Sequence, residues 1–561
     1  MKSQISKFNV VLLAILCAIV TASCSKMGAL SSDYFTVVPN PLEATAGKVP
    51  ATINGLFPEK YMKKKAIVTV TPVLRYAEGE TEGQSATFQG EKVQGNNQTI
   101  AYRMGGNYTM RTNFNYIEPM RKSELYLKFD ARVGKKTYKV PDVKVADGVM
   151  ATSELVKRTV ATATTAAAAD NFQRIVKQKQ EANIQFLVNQ AIIRTGELKS
   201  VSVQQFLSTL KAIQADAAGK AMDGIEVSSY ASPEGSLQFN TTLAQNRGKN
   251  TQEYINKELK DKGLATDINT KYTAEDWEGF QQLVSKSNIQ DKEVILRVLS
   301  MYQDPEERET QIRNISAAYT DLTKEILPQL RRSRIMLNYN LIGRSDPEIL
   351  QQYSDDPAKL SVEEMLYSVG LTDSKDRQQS VLQKTAEIYP NDWRAFNNLA
   401  TLAYEKGDYA TARQYVAKAL SLNPNAPEAN VNSGLLSLLD GNASAAQQAL
   451  AKGSEAAALS EALGNLYLMQ GNYAQAVKSF GKTASNSAAL AQILTKDYLA
   501  AAKTLAGVQQ PDAMTSYLKA IVAARSNNAT EAATCLRQAV ALDPALATLA
   551  KNDIEFAKIN L

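Results

Sequence analysis

Histidine is absent from all 561 residues. Its absence excludes Ser-His-Asp and Cys-His nucleophile pairs, imidazole metal ligation and His-ligated haem. Cysteine is scarce: Cys17, Cys24 and Cys535 are the three in the chain. Cys17 and Cys24 fall at the N-terminus, and Cys535 stands on an apolar helical stripe with Leu536 and Val540, where it reads as a core residue. One such thiol makes neither an internal disulfide nor a thiolate metal site, so the fold must rest on apolar cores. Neither charge sign dominates: 63 basic and 57 acidic residues give a formal net charge of +6. No long basic run or aromatic-basic cluster is present, which argues against a nucleic-acid partner. Beyond the N-terminus no apolar run approaches the ~20 residues that span a bilayer. Metal-ligand spacings and phosphate-cradling glycine motifs are missing as well. Acidic pairs such as Glu275-Asp276 and Asp355-Asp356 read as solvated loop or cap residues. The expectation is a non-catalytic protein without metal or cofactor.

What is present begins with residues 1–23. Lys2 and Lys7 precede an apolar stretch, Val10 to Val20, followed by Thr21, Ala22 and Ser23. This is the make-up of a secretory signal. With Cys24 directly after the small residues it resembles a bacterial lipoprotein signal, although Thr21 stands where that family usually has Leu. The resemblance implies that Cys24 is diacylated at its thiol, becomes the new N-terminus, and anchors the chain in outer-membrane lipid as an N-acyl diacylglyceryl residue. Such an anchor needs no transmembrane helix. Residues 24–32 then read as a tether. "CSKMGAL" lacks the acidic run that some Gram-negative lineages use for surface export, which favours the periplasmic face.

A chain of this length suggests three or four domains. Residues 33–150 read as all-β. "KAIVTVTPVLRY" and "YTMRTNFNYI" are rich in strand formers, and in "ELYLKFDARV" Leu125, Leu127 and Phe129 alternate with Tyr126 and Lys128. Seven or eight strands predict a β-sandwich of Ig-like proportions. "TVATATTAAAADN", within 151–180, is low in complexity and reads as a spacer. Residues 181–345 follow the order β-α-β-α-β, then a helical insertion at 275–330 near Trp277, then β. The first strand is expected at 183–190 and the helix after the second strand at 236–259.

Residues 360–555 are Ala-rich and helical, and they repeat. Pro390 and Pro424 lie 34 residues apart, and Pro544 follows 120 residues later, so the later repeats are shortened or degenerate. Leu399, Ala400, Gly407, Tyr409, Ala412, Ala419 and Pro424 resemble the tetratricopeptide pattern, as do Gly464, Tyr467, Gly471, Tyr473, Ala476 and Phe480. Small residues at these positions let paired helices approach closely. The resemblance implies an all-α solenoid whose concave face takes an unknown protein.

"SYASPEG" followed by Asn240, Leu243, Ala244, Arg247 and Gly248 resembles the OmpA-like peptidoglycan-associated family, as does "LRRSRIMLNY". The resemblance implies an α+β domain that reads the zwitterionic diaminopimelate of a peptidoglycan stem peptide. Arg247 matches the family's carboxylate-binding Arg, and Asn240 the Asn that orders the turn. The family's Asp position is Ser232 here, with Glu234 two residues on as a substitute acid. Two readings follow. One is a lipid-anchored adaptor linking outer membrane to peptidoglycan through Ser232, Glu234, Asn240 and Arg247, with a protein recruited by the repeats. The other is a structural or assembly component of a secretion or fimbrial system, without wall contact.

Overall fold

The structure, a computed structural model, describes residues 27–559. The expected signal peptide 1–23 and the lipidation site Cys24 lie outside the described residues. The chain divides into two compact units: residues up to Asp170 together with Thr372 onward, and Asn171–Leu371.

The first unit begins with β1 (Phe35–Val38), β2 (Leu42–Glu43), β3 (Lys48–Phe57), β4 (Ala66–Tyr76), β5 (Gly79–Glu82) and β6 (Ala86–Gly90). It continues with β7 (Gln98–Ile100), β8 (Gly106–Asn115), β9 (Ser123–Val133), β10 (Lys136–Lys139), β11 (Val143–Asp147) and β12 (Val149–Met150). One sheet has the order β1-β3-β8. The larger runs β10-β9-β4-β6-β7, with β5 beside β4 and β11 beside β9. Alternation sets the two faces: β8 and β9 bury every second residue. The buried rows meet in one core, where Phe57 of the small sheet packs edge-on against Phe88 of the large one at 5.5 Å. The expected tether 24–32 is corrected here. Met27 and Leu30 are buried in this core, and the Tyr61 hydroxyl donates to the Gly28 carbonyl at 2.9 Å.

The expected linker 151–180 is also corrected. Residues 152–155 form a turn of 3-10 helix that leads into α1 (Val156–Val160). Leu155, Val156, Val160, Ala163 and Ala166 are buried in the same core as the C-terminal repeats.

The second unit contains β13 (Ile175–Gln185), α2 (Val201–Ala215), β14 (Lys220–Tyr230), α3 (Leu237–Asp261) and β15 (Ile268–Thr273). The insertion follows as α4 (Trp277–Lys286), α5 (Lys292–Met301), α6 (Pro305–Asn314), α7 (Ser316–Asp321) and α8 (Leu327–Leu330). Then come β16 (Arg332–Ile342), α9 (Asp346–Asp355) and α10 (Val362–Ser368). The sheet order is β13-β16-β14-β15; β14 and β15 run parallel, the other pairs antiparallel. The expected first strand, 183–190, starts eight residues early in the structure. Residues 175–181 pair along β16 but have no buried face, so they carry no apolar alternation to read. The insertion has its own core, built from Phe280, Val284, Ile295, Leu299, Leu322 and Leu330 among others.

The repeats return to the first unit. After α11 (Lys375–Ile388) come five helix pairs: α12 (Trp393–Glu405) with α13 (Tyr409–Leu422), α14 (Pro427–Leu439) with α15 (Ala443–Leu450), α16 (Leu459–Met469) with α17 (Tyr473–Phe480), α18 (Asn486–Leu494) with α19 (Tyr498–Ala506), and α20 (Ala513–Arg525) with α21 (Ala529–Leu542). α22 (Leu546–Asn552) closes the series. Side-chain caps start most of these helices; Asp408 accepts from the Thr411 N–H and Asn442 from the Ala445 N–H. The small residues lie where helices cross. A Cβ on Gly464 would stand 2.7 Å from the Phe480 ring, and one on Gly434 2.6 Å from Leu450. One ion pair, Arg121 with Asp553, joins the repeats to the sandwich; Glu555 pairs with Arg525 inside the repeats and accepts from Thr152.

Candidate functional site

The sequence-derived site in the second unit sits where β14 turns into α3. Ser232 is buried, and its hydroxyl donates to Glu234 Oε2 at 2.7 Å. The same carboxylate oxygen takes a 2.7 Å hydrogen bond from Arg331 Nη2. Gly235, at φ +95°, closes the turn in a backbone region that disfavours a Cβ. Its N–H donates to Glu309 of α6 at 3.1 Å, and its carbonyl accepts from Asn240 Nδ2 at 3.3 Å. Asn240 thus braces the turn. Pro233 shares a small hollow with Trp277, Phe280 and Ile312, so the insertion packs on the turn's other side.

Arg247 was expected to offer its guanidinium to a carboxylate, and the structure gives it other work. The side chain is fully buried. Nε donates to the Gln190 carbonyl at 3.0 Å, Nη1 to Tyr230 at 2.8 Å and Nη2 to Leu187 at 3.2 Å. The Phe186 ring lies 5.2 Å from the guanidinium. Burial, with repulsion from Arg331, lowers its pKa to about 10, which Glu234 only partly offsets. Arg247 therefore stitches the loop after β13 to the end of β14. Ser232, Glu234 and Asn240 are brought together with Arg331; Arg247 is beside them in sequence pattern but turned to the interior.

A second arrangement was not legible as a site. The low-complexity stretch after α1 runs extended along the first helices of the repeats, held by its main chain. The Arg394 Nη1 donates to the Asp170 carbonyl at 2.9 Å. Asn398 Oδ1 accepts the Ala168 N–H at 2.7 Å, and its Nδ2 donates to the Ala168 carbonyl at 3.0 Å. One repeat later, Asn432 Oδ1 accepts the Ala166 N–H at 2.8 Å, and its Nδ2 donates to the Ala166 carbonyl at 2.8 Å. Asn397 Nδ2 adds a second donor to that carbonyl at 2.8 Å. Glu461 of the third pair accepts the Thr164 N–H at 3.4 Å, and Asn486 of the fourth donates to the Thr162 hydroxyl at 3.5 Å. Back on the first pair, the Tyr404 hydroxyl donates to the Val160 carbonyl at 2.6 Å.

The register is simple. Residues 168, 166, 164 and 162 meet the first, second, third and fourth helix pairs in turn, so the segment runs against the repeat order. Two residues of extended chain advance about 6.6 Å. A carboxamide carries one acceptor and two donors and so matches one residue's N–H and C=O. This contact reads backbone and not side chain. Ala163, Ala166 and Ala168 turn buried methyls inward, whereas Thr162, Thr164, Ala167 and Ala169 are exposed. Glu461 is nearly buried, and desolvation pushes its carboxyl pKa up against the opposing bonds from Thr164 and Ser485. The signal that marks the reader residues is the spacing: Asn398 and Asn432 are 34 apart, one repeat period.

Tetratricopeptide-repeat family models match residues 381–414 and 440–489. The C-terminal helices are tetratricopeptide repeats. They support binding of a protein partner, the general use of such repeats. Solved structures similar to this chain include a tetratricopeptide repeat protein from Parabacteroides merdae, with 16% identity over 37% of this chain and 91% of that one at a TM-score of 0.29. PilF from Pseudomonas aeruginosa is 20% identical over 36% of this chain and 95% of that one, at 0.26. Yeast Tom70 is 10% identical over 63% and 78%, at 0.25. No curated protein matches the chain. Among the described residues no group of His, Cys, Asp or Glu is placed to hold a metal ion, and no helix is long and apolar enough to cross a membrane.

Proposed function

We propose that this chain is a non-catalytic scaffold of the bacterial envelope, anchored in outer-membrane lipid through Cys24 and holding a protein partner through its repeats. The observation that carries the protein-binding half is the groove itself, whose asparagines grip an extended peptide by its main chain. The anchoring half draws on the signal-like residues 1–23 and the Cys that follows. In this reading the second unit is structural, because Arg247 is committed to three carbonyls of its own unit. The test is a photo-crosslinking residue at exposed Thr164, together with metabolic labelling by a palmitate analogue. A discrete protein adduct and a label lost in Cys24→Ser are expected. Absence of both would overturn the proposal.

A second reading, contact with a peptidoglycan stem peptide, draws on one observation. Glu234 and Arg331 set a carboxylate and a guanidinium side by side at 2.7 Å, both partly exposed, and a zwitterionic ligand needs both charges. Co-sedimentation with purified sacculi decides it. Retention of the full chain that Glu234→Ala and Arg331→Ala both abolish would establish the second reading; no retention would leave the unit as scaffold.

A further inference from the structure

The groove of the repeats is already full, and its occupant belongs to the same chain. Resting on the protein-binding reading above, we propose that residues 161–170 are a displaceable occupant of this groove. Its ligand in trans is an extended segment of a partner protein with small, uncharged side chains at its inward positions.

Three observations carry this. First, recognition is almost entirely through main chain. Asn398 and Asn432 each take both polar groups of one alanine, so a different sequence with the same backbone path makes the same bonds. The selection acts by exclusion: the inward positions are Ala163, Ala166 and Ala168, buried as bare methyls.

Second, the occupant brings no anchor. Strong peptide interfaces centre on large buried side chains, and nothing inward-facing here exceeds a methyl group. Covalent connection to α1 on one side and β13 on the other supplies the missing affinity, since a tethered segment acts at an effective concentration on the order of millimolar. A free ligand that replaces it must therefore compete with that concentration, which sets a threshold rather than a block.

Third, the fit weakens along the groove. Contacts of 2.7–3.0 Å at Ala166 and Ala168 give way to 3.4 and 3.5 Å at Thr164 and Thr162. In that weaker half two buried side chains have no hydrogen-bond partner for one atom among the described residues. They are Asn465 Oδ1, one turn after Glu461 on α16, and Ser487 Oγ, next to Asn486 on α18. The third and fourth pairs are thus where a partner gains over the resident segment and where displacement starts.

The test uses the full chain and the peptide acetyl-ATATTAAAADN-amide, copied from residues 161–171. Hydrogen exchange of fragments covering 161–170 is followed with and without millimolar peptide. Displacement predicts at least ~10-fold faster exchange of these amides when peptide is present, with strands β4 and β9 unchanged. A fluorescent form of the peptide is titrated in parallel into wild type and into Ala166→Asp/Ala168→Asp, whose resident segment is expelled by charge. Binding to that variant is expected to be at least ~10-fold tighter than to wild type, and Asn432→Ala added to it should abolish the gain. Amides of 161–170 that exchange no faster with peptide would overturn the inference and make the segment a permanent strut. This outcome does not depend on the variant folding. A Thr164 adduct to a partner alongside such undisturbed amides would sink the inference while keeping the scaffold reading.

Discussion

Arg121 Nη1 lies 2.9 Å from Asp553 Oδ2, and each residue is 3% exposed. The two residues belong to the sandwich and to the end of the repeats, 432 positions apart. Asp553 also accepts from the Tyr517 hydroxyl at 2.8 Å. Burial pushes its carboxyl pKa up, with Arg121 pulling the other way. Truncating one partner strands the other charge, so Arg121→Ala should lower stability by about 3–5 kcal/mol. Arg121→Met/Asp553→Leu, which removes both charges, should lose less than Arg121→Ala alone. Urea denaturation of the three proteins checks the order, and a double mutant weaker than the single would refute it.

Glu461 makes the groove sensitive to pH. Desolvation raises its pKa above the ordinary 4.5. A carboxyl whose folded-state pKa exceeds its unfolded one binds its proton more tightly in the fold. Stability is therefore highest below pH 4.5, falls as pH rises through the folded value, and stays lower above it. Glu461→Gln keeps the acceptor for Thr164 and removes the charge. Its Tm should exceed wild type by about 2–4 °C at pH 7.5, for roughly 1 kcal/mol, and the difference should close near pH 4. A constant difference across that range would assign it to packing instead.

Arg247→Ala removes the guanidinium from the carbonyls of Leu187, Gln190 and Tyr230, of which Leu187 keeps the Gln190 N–H as a donor. Hydrogen bonds from a charged donor contribute about 1.5–3 kcal/mol, so unfolding of the second unit should shift by about 2 kcal/mol or more. Arg247→Lys should recover less than half, because an ammonium lacks the planar fork that reaches three acceptors. Trp277 fluorescence in a Trp393→Phe background reports on this unit. Full rescue by Lys would show that charge, not geometry, is what Arg247 supplies.

Gly464→Ala tests the helix crossing in the third pair. The new methyl meets the Phe480 ring at 2.7 Å. Overpacking of this kind costs about 1–3 kcal/mol. Adding Phe480→Leu should restore part of that loss in thermal unfolding, and no restoration would place the strain elsewhere.

Much of this was legible because burial writes itself as period. Leu125, Leu127 and Phe129 alternate, and β9 is there. The 34-residue spacing of Pro390 and Pro424, with Gly464 and Phe480 in place, marks the paired helices. The start of β13 was hidden because Ile175 to Glu181 pair without burying a face. The groove occupant was hidden for a related reason. Alanine and threonine in a run resemble a spacer, and the specificity of that run lies in its backbone bonds, which no side chain announces. Arg247 misled in the opposite direction: a motif fixes which residue stands on the helix, not which carbonyls the loop after β13 brings to it.

Met27 sets a limit on reach. With a lipid on Cys24, as proposed, Ser25 and Lys26 are the whole length of chain between the acylated residue and a side chain seated in the sandwich core. Extended chain covers at most ~3.6 Å per residue, which gives a leash of about 10 Å, comparable to the polar layer on one side of a bilayer. The sandwich would ride on the membrane surface, and the repeats joined to it through Asp553 and Glu555 would travel with it. A partner would then be met by lateral diffusion in two dimensions, not by the sweep of an arm.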